Sequence, residues 1–272
     1  MTAMNSESSW DFRDNQELAA SNAFNKEGYI IEIADLQYLE LIKYDVESAF
    51  CEFSSISGKE GQVLERAHLS ISHEQSNDLR LHIMNTLYQN TSFHRNYYNT
   101  SKNVIHSLCG NELAMQKRPG LSINLPQNRN DVLPIHADTW NGVSPFELNI
   151  WIPLVDCRNS MCLYILKRDS YKCRLNESKE LLRLTSDELF SELHDDLTWI
   201  PIEYGQILAF DQSLPHGYSL NEERYTHWSI NCRFKGLHTP YWDKKLGDYF
   251  MPITVKNCTR LGMQYRHPDS WI

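Results

Sequence analysis

Chemistry in this chain is densest where it reads I-H-A-D-T-W: His136 and Asp138 stand two positions apart. In an extended strand, residues i and i+2 point to one face, so an imidazole and a carboxylate would sit side by side. A neutral imidazole nitrogen beside a carboxylate oxygen suits Fe, Zn or Mn. Two ligands do not close a site. The later segment F-D-Q-S-L-P-H-G offers a third, His216, beside a turn, and Gly217 after it allows close backbone approach. An isolated H-x-D is more often a structural hydrogen bond, and a lone His216 could cap a turn or pair with a surface acid. The three together, each next to an apolar segment bounded by Gly or Pro, favour a metal. Two His and one carboxylate leave positions on an Fe(II) ion open for a co-substrate and oxygen.

If the co-substrate at such an ion is 2-oxoglutarate, its far carboxylate needs a partner. Arg is suited to this because its planar fork grips carboxylates bidentately. In Y-T-H-W-S-I-N-C-R-F, strand parity puts His227, Ser229, Asn231 and Arg233 on one face. Trp228, Ile230, Cys232 and Phe234 take the other. The polar row is either a pocket wall or a solvent face, and opposite a metal pair the pocket wall is preferred. Glu147, Asn149 and Trp151 form a similar row after the first two ligands. Asn149 and Trp151 are positioned to line the co-substrate site, although Trp151 suits a core equally well.

The elements that must position these groups are mostly strands. After Gly110, apolar residues begin to alternate, and Gly and Pro recur about every ten residues. Strands are expected over 120–125, 146–155, 161–166, 205–211 and 225–234, with extended chain over 196–203 and a helical insertion near 175–194. Before Gly110 the spacing is helical. One helix follows Asp35, a plausible N-cap. Others run over 77–91 and 92–109, and a short strand lies at 28–33. Residues 1–25 are polar and read as a mobile arm. The expectation is a single domain over 1–272, with helical support at 26–117 and a mostly β jelly roll, or double-stranded β-helix, at 118–272.

With 272 residues the chain can bury a large core without covalent staples. A formal net charge of −9 argues against nucleic acid or an anionic membrane as partner. No apolar run nears the ~20 residues of a membrane span. The N-terminus lacks the basic and apolar regions of a signal peptide, so a cytoplasmic location is expected. Seven Cys without a C-x-x-C pair read as reduced thiols.

Three segments carry a resemblance: I-H-A-D-T-W-N-G-V-S-P-F-E-L-N-I-W-I-P-L-V-D, Y-G-Q-I-L-A-F-D-Q-S-L-P-H-G and H-W-S-I-N-C-R-F-K-G. They resemble the Fe(II)/2-oxoglutarate-dependent dioxygenases of the phytanoyl-CoA-hydroxylase-like superfamily. The nearest group is the oxygenases of bacterial carbohydrate and aminoglycoside clusters, related to the streptomycin-cluster dioxygenase. The resemblance spans roughly residues 118–265, including the tail T-P-Y-W-D-K-K-L-G-D-Y-F-M-P-I. It implies a double-stranded β-helix, with iron held at His136, Asp138 and His216 and 2-oxoglutarate as co-substrate. In many relatives the co-substrate Arg sits about eleven positions after the distal His, in Arg-x-Ser. Here that residue is His227, in H-W-S. Either Arg233 takes over, or His227 and Ser229 share the work.

The resemblance also implies oxidative decarboxylation of 2-oxoglutarate to succinate and CO2, coupled to oxidation of a small substrate. Loops holding Trp140, Asn141, Arg158, Lys167 and Arg168 would meet that substrate, and they suit a hydroxyl-rich sugar or plain loop surface equally. The competing readings are a cupin-type sugar isomerase or epimerase, a non-enzymatic carbohydrate-binding β-sandwich, and a protein hydroxylase. The oligomeric state is not legible.

Overall fold

The computed structural model describes residues 11–56, 62–177, 181 and 183–267. From the N-terminus run α1 (Asn15–Glu27), β1 (Tyr29–Ile33), α2 (Leu36–Ser54), α3 (Ser76–Gln89), α4 (Phe93–Thr100) and α5 (Lys102–Cys109). Strands then dominate: β2 (Leu113–Gln116), β3 (Gly120–Asn124), β4 (Leu133–His136), β5 (Glu147–Pro153) and β6 (Leu163–Leu166). The helices α6 (Arg168–Glu177) and α7 (Ser186–Leu193) precede β7 (Leu197–Ile200), β8 (Gln206–Phe210), β9 (His216–Tyr218), β10 (His227–Gly236) and β11 (Phe250–Thr254). The last helix is α8 (Asn257–Gln264).

The strands form two antiparallel sheets, the mostly β jelly roll with flanking helices that the alternation predicts. The larger has the order β1-β8-β5-β10-β2-β11, and the smaller β4-β9-β6-β7. The long strand β10 is the axis of the larger sheet. Along one edge it pairs with β5 over Ser229–Lys235. Along the other it takes β3 with its first half and β2 with its second.

Parity along β10 works as expected. Trp228, Ile230, Cys232 and Phe234 are all buried on the face toward the N-terminal helices. The Phe50 ring of α2 meets Trp228 edge-on at 5.8 Å, and the Tyr97 ring of α4 lies 18° from parallel to Phe234 at 6.3 Å. The Trp228 indole donates to the Leu64 carbonyl at 2.7 Å. The Tyr97 hydroxyl lies 2.8 Å from the Ile150 carbonyl and 3.0 Å from that of Ile230, bridging β5 and β10 from behind.

Four expectations need correction. The arm expected over 1–25 is helical from Asn15, while residues 1–10 lie outside the described residues. Asp14 caps α1 in a reciprocal capping box with Glu17, and Gly28 closes it at φ 85°, where a side chain would run into Leu214. The short strand expected at 28–33 is β1, and with β2, which was not expected, it joins the larger sheet, so 26–117 is not helical support alone. The single helix expected over 92–109 is two. Thr100 and Ser101 turn their hydroxyls back onto the carbonyls of Asn96 and Tyr97, and the backbone leaves the helical region at Ser101. The insertion near 175–194 is α6 and α7, with α6 beginning earlier, at Arg168; residues 178–180 and 182 between them lie outside the described residues.

Because the Tyr97 hydroxyl is the partner of buried strand carbonyls, Tyr97→Phe is expected to destabilise the fold by about 1–3 kcal/mol. Urea unfolding followed by fluorescence would measure it. An unchanged midpoint would mean that packing of the ring alone holds the sheet to α4.

Candidate metal centre

His136 ends β4 and His216 begins β9, and the two are directly opposed in the register of the smaller sheet. Their ring centroids are 4.5 Å apart. Asp138 lies two residues beyond the end of β4, at the start of a tight turn over Asp138–Asn141. Its N–H donates to the Gln212 carbonyl at 2.9 Å, which fixes the turn against the segment leading to His216. One ligand atom from each of the three residues lies within 4.8 Å of the others. Gly217 is needed beside them. A Cβ there would stand 2.5 Å from both the Leu133 carbonyl and the Tyr164 hydroxyl.

Both imidazoles are set for ligation. Nδ1 of His136 lies 2.8 Å from the Pro134 carbonyl, and Nδ1 of His216 lies 2.8 Å from that of Leu214. A carbonyl can only accept, so each Nδ1 carries the proton, and in the neutral ring Nε2 offers its lone pair. Burial pushes the pKa of His216 down to about 4, with the neighbouring His136 adding to the effect, so it is neutral at pH 7. Burial opposes charge on His136 as well, but the Asp138 carboxylate 3.5 Å away and the Pro134 carbonyl raise its pKa.

Asp138 is the counterpart. Burial alone would raise its pKa, yet His136 and Arg233 outweigh that and hold it well below the usual carboxylate range. Arg233 donates to Asp138 Oδ2 from Nη2 at 2.7 Å and from Nε at 3.2 Å. The guanidinium is itself held, by Gln212 Oε1 at 2.7 Å from Nε and by the Tyr249 hydroxyl at 2.6 Å from Nη1. Gln212 passes the chain on, donating to Glu147 Oε2 at 3.1 Å. Gln212 and Tyr249 carry no motif of their own; the only sequence signal for Gln212 was its place just after F-D in the segment leading to His216.

Of the five expected co-substrate residues, Asn149, Trp151 and Arg233 line the cavity beside the triad, about 210 Å³ in volume. Ser229 and His227 lie behind Tyr218, whose hydroxyl is 3.3 Å from Ser229 Oγ and also meets the Trp151 indole N–H. His227 Nε2 is 2.9 Å from Ser229 Oγ, and its ring packs between Trp151 and Tyr218. Burial pushes its pKa down to about 3. Tyr218, Ser122 and Asn231 complete the polar wall. Tyr218 could have been anticipated from its same-face spacing with His216 in H-G-Y.

The cations expected on the substrate loops have partners. Arg168 pairs with Asp211 at 2.8 Å, Lys167 with Glu27 at 2.8 Å, and Arg158 with Glu203 at 3.3 Å. Trp140, in the turn that begins at Asp138, stays 42% exposed. Among the described residues no helix is long and apolar enough to cross a membrane, and all seven Cys are free.

No family model matches this chain, and no curated protein matches it. Solved structures do. The non-heme monooxygenase ThoJ in its Ni complex aligns with a TM-score of 0.55 at 11% identity, over 88% of this chain and 85% of its own. The non-heme alpha ketoglutarate dependent carbocyclase SnoK from nogalamycin biosynthesis aligns with a TM-score of 0.51 at 12% identity, over 87% and 96%. EctD from S. alaskensis, solved with 2-oxoglutarate and 5-hydroxyectoine, aligns with a TM-score of 0.52 at 14% identity, over 85% and 80%. At such identities the likeness is one of fold, the jelly roll described above. Within it, His136, Asp138 and His216 form a candidate iron site.

Arg233→Ala should free one oxygen of Asp138 and lower Fe(II) affinity about 10- to 100-fold, while Asp138→Ala should abolish it. Anaerobic calorimetry would read both, and wild-type affinity in either variant would remove that residue from the site. His227 makes a separate prediction about stability. Its imidazole takes a proton near pH 6.5 when unfolded but only near pH 3 when folded, so stability falls as pH drops through that window. By pH 5 the loss is about 2 kcal/mol. His227→Gln should flatten this part of the profile in urea unfolding, and an equal acid loss in both proteins would assign it to other groups.

Proposed function

We propose that this chain is a non-haem Fe(II)- and 2-oxoglutarate-dependent oxygenase that hydroxylates or oxidises a small, polar, carbohydrate-like metabolite. The observation that carries the reading is the meeting of two Nε2-free imidazoles and one carboxylate inside a jelly roll. Such a donor set occupies one face of an iron ion and leaves the other for reactants.

The residues present fit both groups at the metal end. The Asn149 side-chain oxygen is buried in the cavity wall with no hydrogen-bond partner. An amide there, in either orientation, offers a hydrogen bond to the head of a 2-oxo acid. When bound, iron supplies the activation of O2: one oxygen atom enters succinate as CO2 leaves, and the other enters a substrate C–H bond. The protein supplies position and dryness. His136, Asp138 and His216 hold the ion, and Arg233 keeps Asp138 ionised and aimed. Phe210, Leu163 and Trp151 line the cavity with apolar surface that limits water.

For the substrate, two tryptophans carry the reading. Trp140 is 42% exposed and Trp242 60% exposed, on loops joined by the Asp243 N–H to the Gly142 carbonyl at 3.3 Å. Flat aromatic faces beside polar loop groups suit a ring with an apolar face and many hydroxyls.

The test is succinate formation from 2-oxoglutarate by the Fe(II)-loaded protein, screened against sugars and nucleotide-sugars. Substrate-stimulated succinate is expected. Sugar turnover without succinate would favour the isomerase, and sugar affinity without Fe(II) binding the inert sandwich. Trp140→Ala should raise KM about 3- to 10-fold with kcat little changed, the worth of about 1 kcal/mol of aromatic contact. An unchanged KM would move the substrate away from this loop.

A further inference from the structure

The cavity beside the triad begins at Asp138 and Arg233. It runs along the inner faces of β5 and β10, past Asn149 and Asn231, toward Trp151, Ser122 and Tyr218. A co-substrate held by its head at the metal end would have this neutral stretch ahead of it. Arg233 is the one cation among the described residues that line the cavity, and it stands at the metal end. Its charge is matched by Asp138, which it grips with two nitrogens.

Beyond Arg233 every lining group is neutral. The far wall offers the Tyr218 and Ser122 hydroxyls and the ring of Trp151. Behind Tyr218 come Ser229 and then His227, which lies on the same face of β10 as Arg233 and is fully buried. Burial keeps that imidazole uncharged at neutral pH. Lys235 lies beyond Arg233 in the opposite direction along β10, with its Nζ on the Pro240 carbonyl at 2.6 Å. A second cavity, of about 480 Å³, shares Ser122, Leu133 and Tyr218 as a wall. It contains Arg80, bonded to Asn77 on the exposed side of α3.

A carboxylate drawn out of water into a neutral pocket keeps its desolvation penalty and gains only hydroxyl hydrogen bonds. An uncharged end of the same length avoids that penalty and gains contact with Trp151 and Tyr218. We infer that the far end of this pocket does not select for a second carboxylate, and that 2-oxo acids with an uncharged far end bind at least as well as 2-oxoglutarate. The inference rests on the oxygenase reading above.

The experiment is anaerobic calorimetry of the Fe(II)-loaded full chain with 2-oxoglutarate and with 2-oxopentanoate, the same five carbons without the second carboxylate. The two dissociation constants are expected within about threefold, or lower for 2-oxopentanoate. Tighter 2-oxoglutarate binding by more than about threefold overturns the inference, and about 30-fold is the worth of one charge-assisted pairing. Arg80→Ala should change neither constant, and a loss confined to 2-oxoglutarate would reveal a cation reaching through the Tyr218 wall and overturn it too. His227→Arg adds a guanidinium on the same strand face and should tighten 2-oxoglutarate alone, by about tenfold or more. If neither acid binds the Fe(II)-loaded protein, the oxygenase reading falls along with the inference. Selective 2-oxoglutarate binding overturns the inference alone.

Discussion

A carboxylate cannot sit ionised in a protein interior unless something answers its charge, and Asp138 is 7% exposed. Arg233 answers it. The guanidinium is nearly as buried, so it depends on Asp138 in turn, and Gln212 and Tyr249 fix the direction in which it points. The pair leaves Asp138 Oδ1 toward the imidazoles and takes Oδ2 for itself. Everything that brings β10 alongside the His136–Asp138 segment serves this contact, and the contact makes a metal-binding carboxylate possible there.

The same strand explains why the helical half exists. The inner faces of β5 and β10 carry a polar ladder, with Glu147 opposite Lys235, Asn149 opposite Arg233 and Trp151 opposite Asn231. Several of these groups are deeply buried, Lys235 fully so, and few of them pack as a hydrophobic core would. The stabilising apolar surface is on the reverse face. Helices α2 and α4 cover it with Phe50 and Tyr97. One sheet therefore separates two interiors, a dry one that holds the fold and a polar one that holds the site.

Period and motif made much of this legible. The alternation in H-W-S-I-N-C-R-F sorted the two faces of β10 correctly, because a period of two survives burial on both sides when one side is polar. His136, Asp138 and His216 were legible from residue type and punctuation by Gly and Pro. The partner of Arg233 was not. Strand parity gives the face a side chain leaves from, but a guanidinium is long enough to reach either the metal end or the far end of a cavity, and only the fold selects Asp138. The helix α1 was hidden for another reason: its apolar content is low, and its capping box at Asp14 and Glu17 is a four-residue signal inside a polar stretch. The strand at 28–33 was legible but its pairing was not, and β2 was missed, because short strands next to helices carry too little period to declare their partners.

Strand β9 is three residues long and carries His216 at one end and Tyr218 at the other, both turned to the same side. Pairing with β4 along one edge and β6 along the other holds this short segment from both sides. One backbone unit therefore sets the phenol of the cavity wall and the imidazole of the candidate iron site relative to each other, and a ligand that favours the placement of one would favour the other by the same amount.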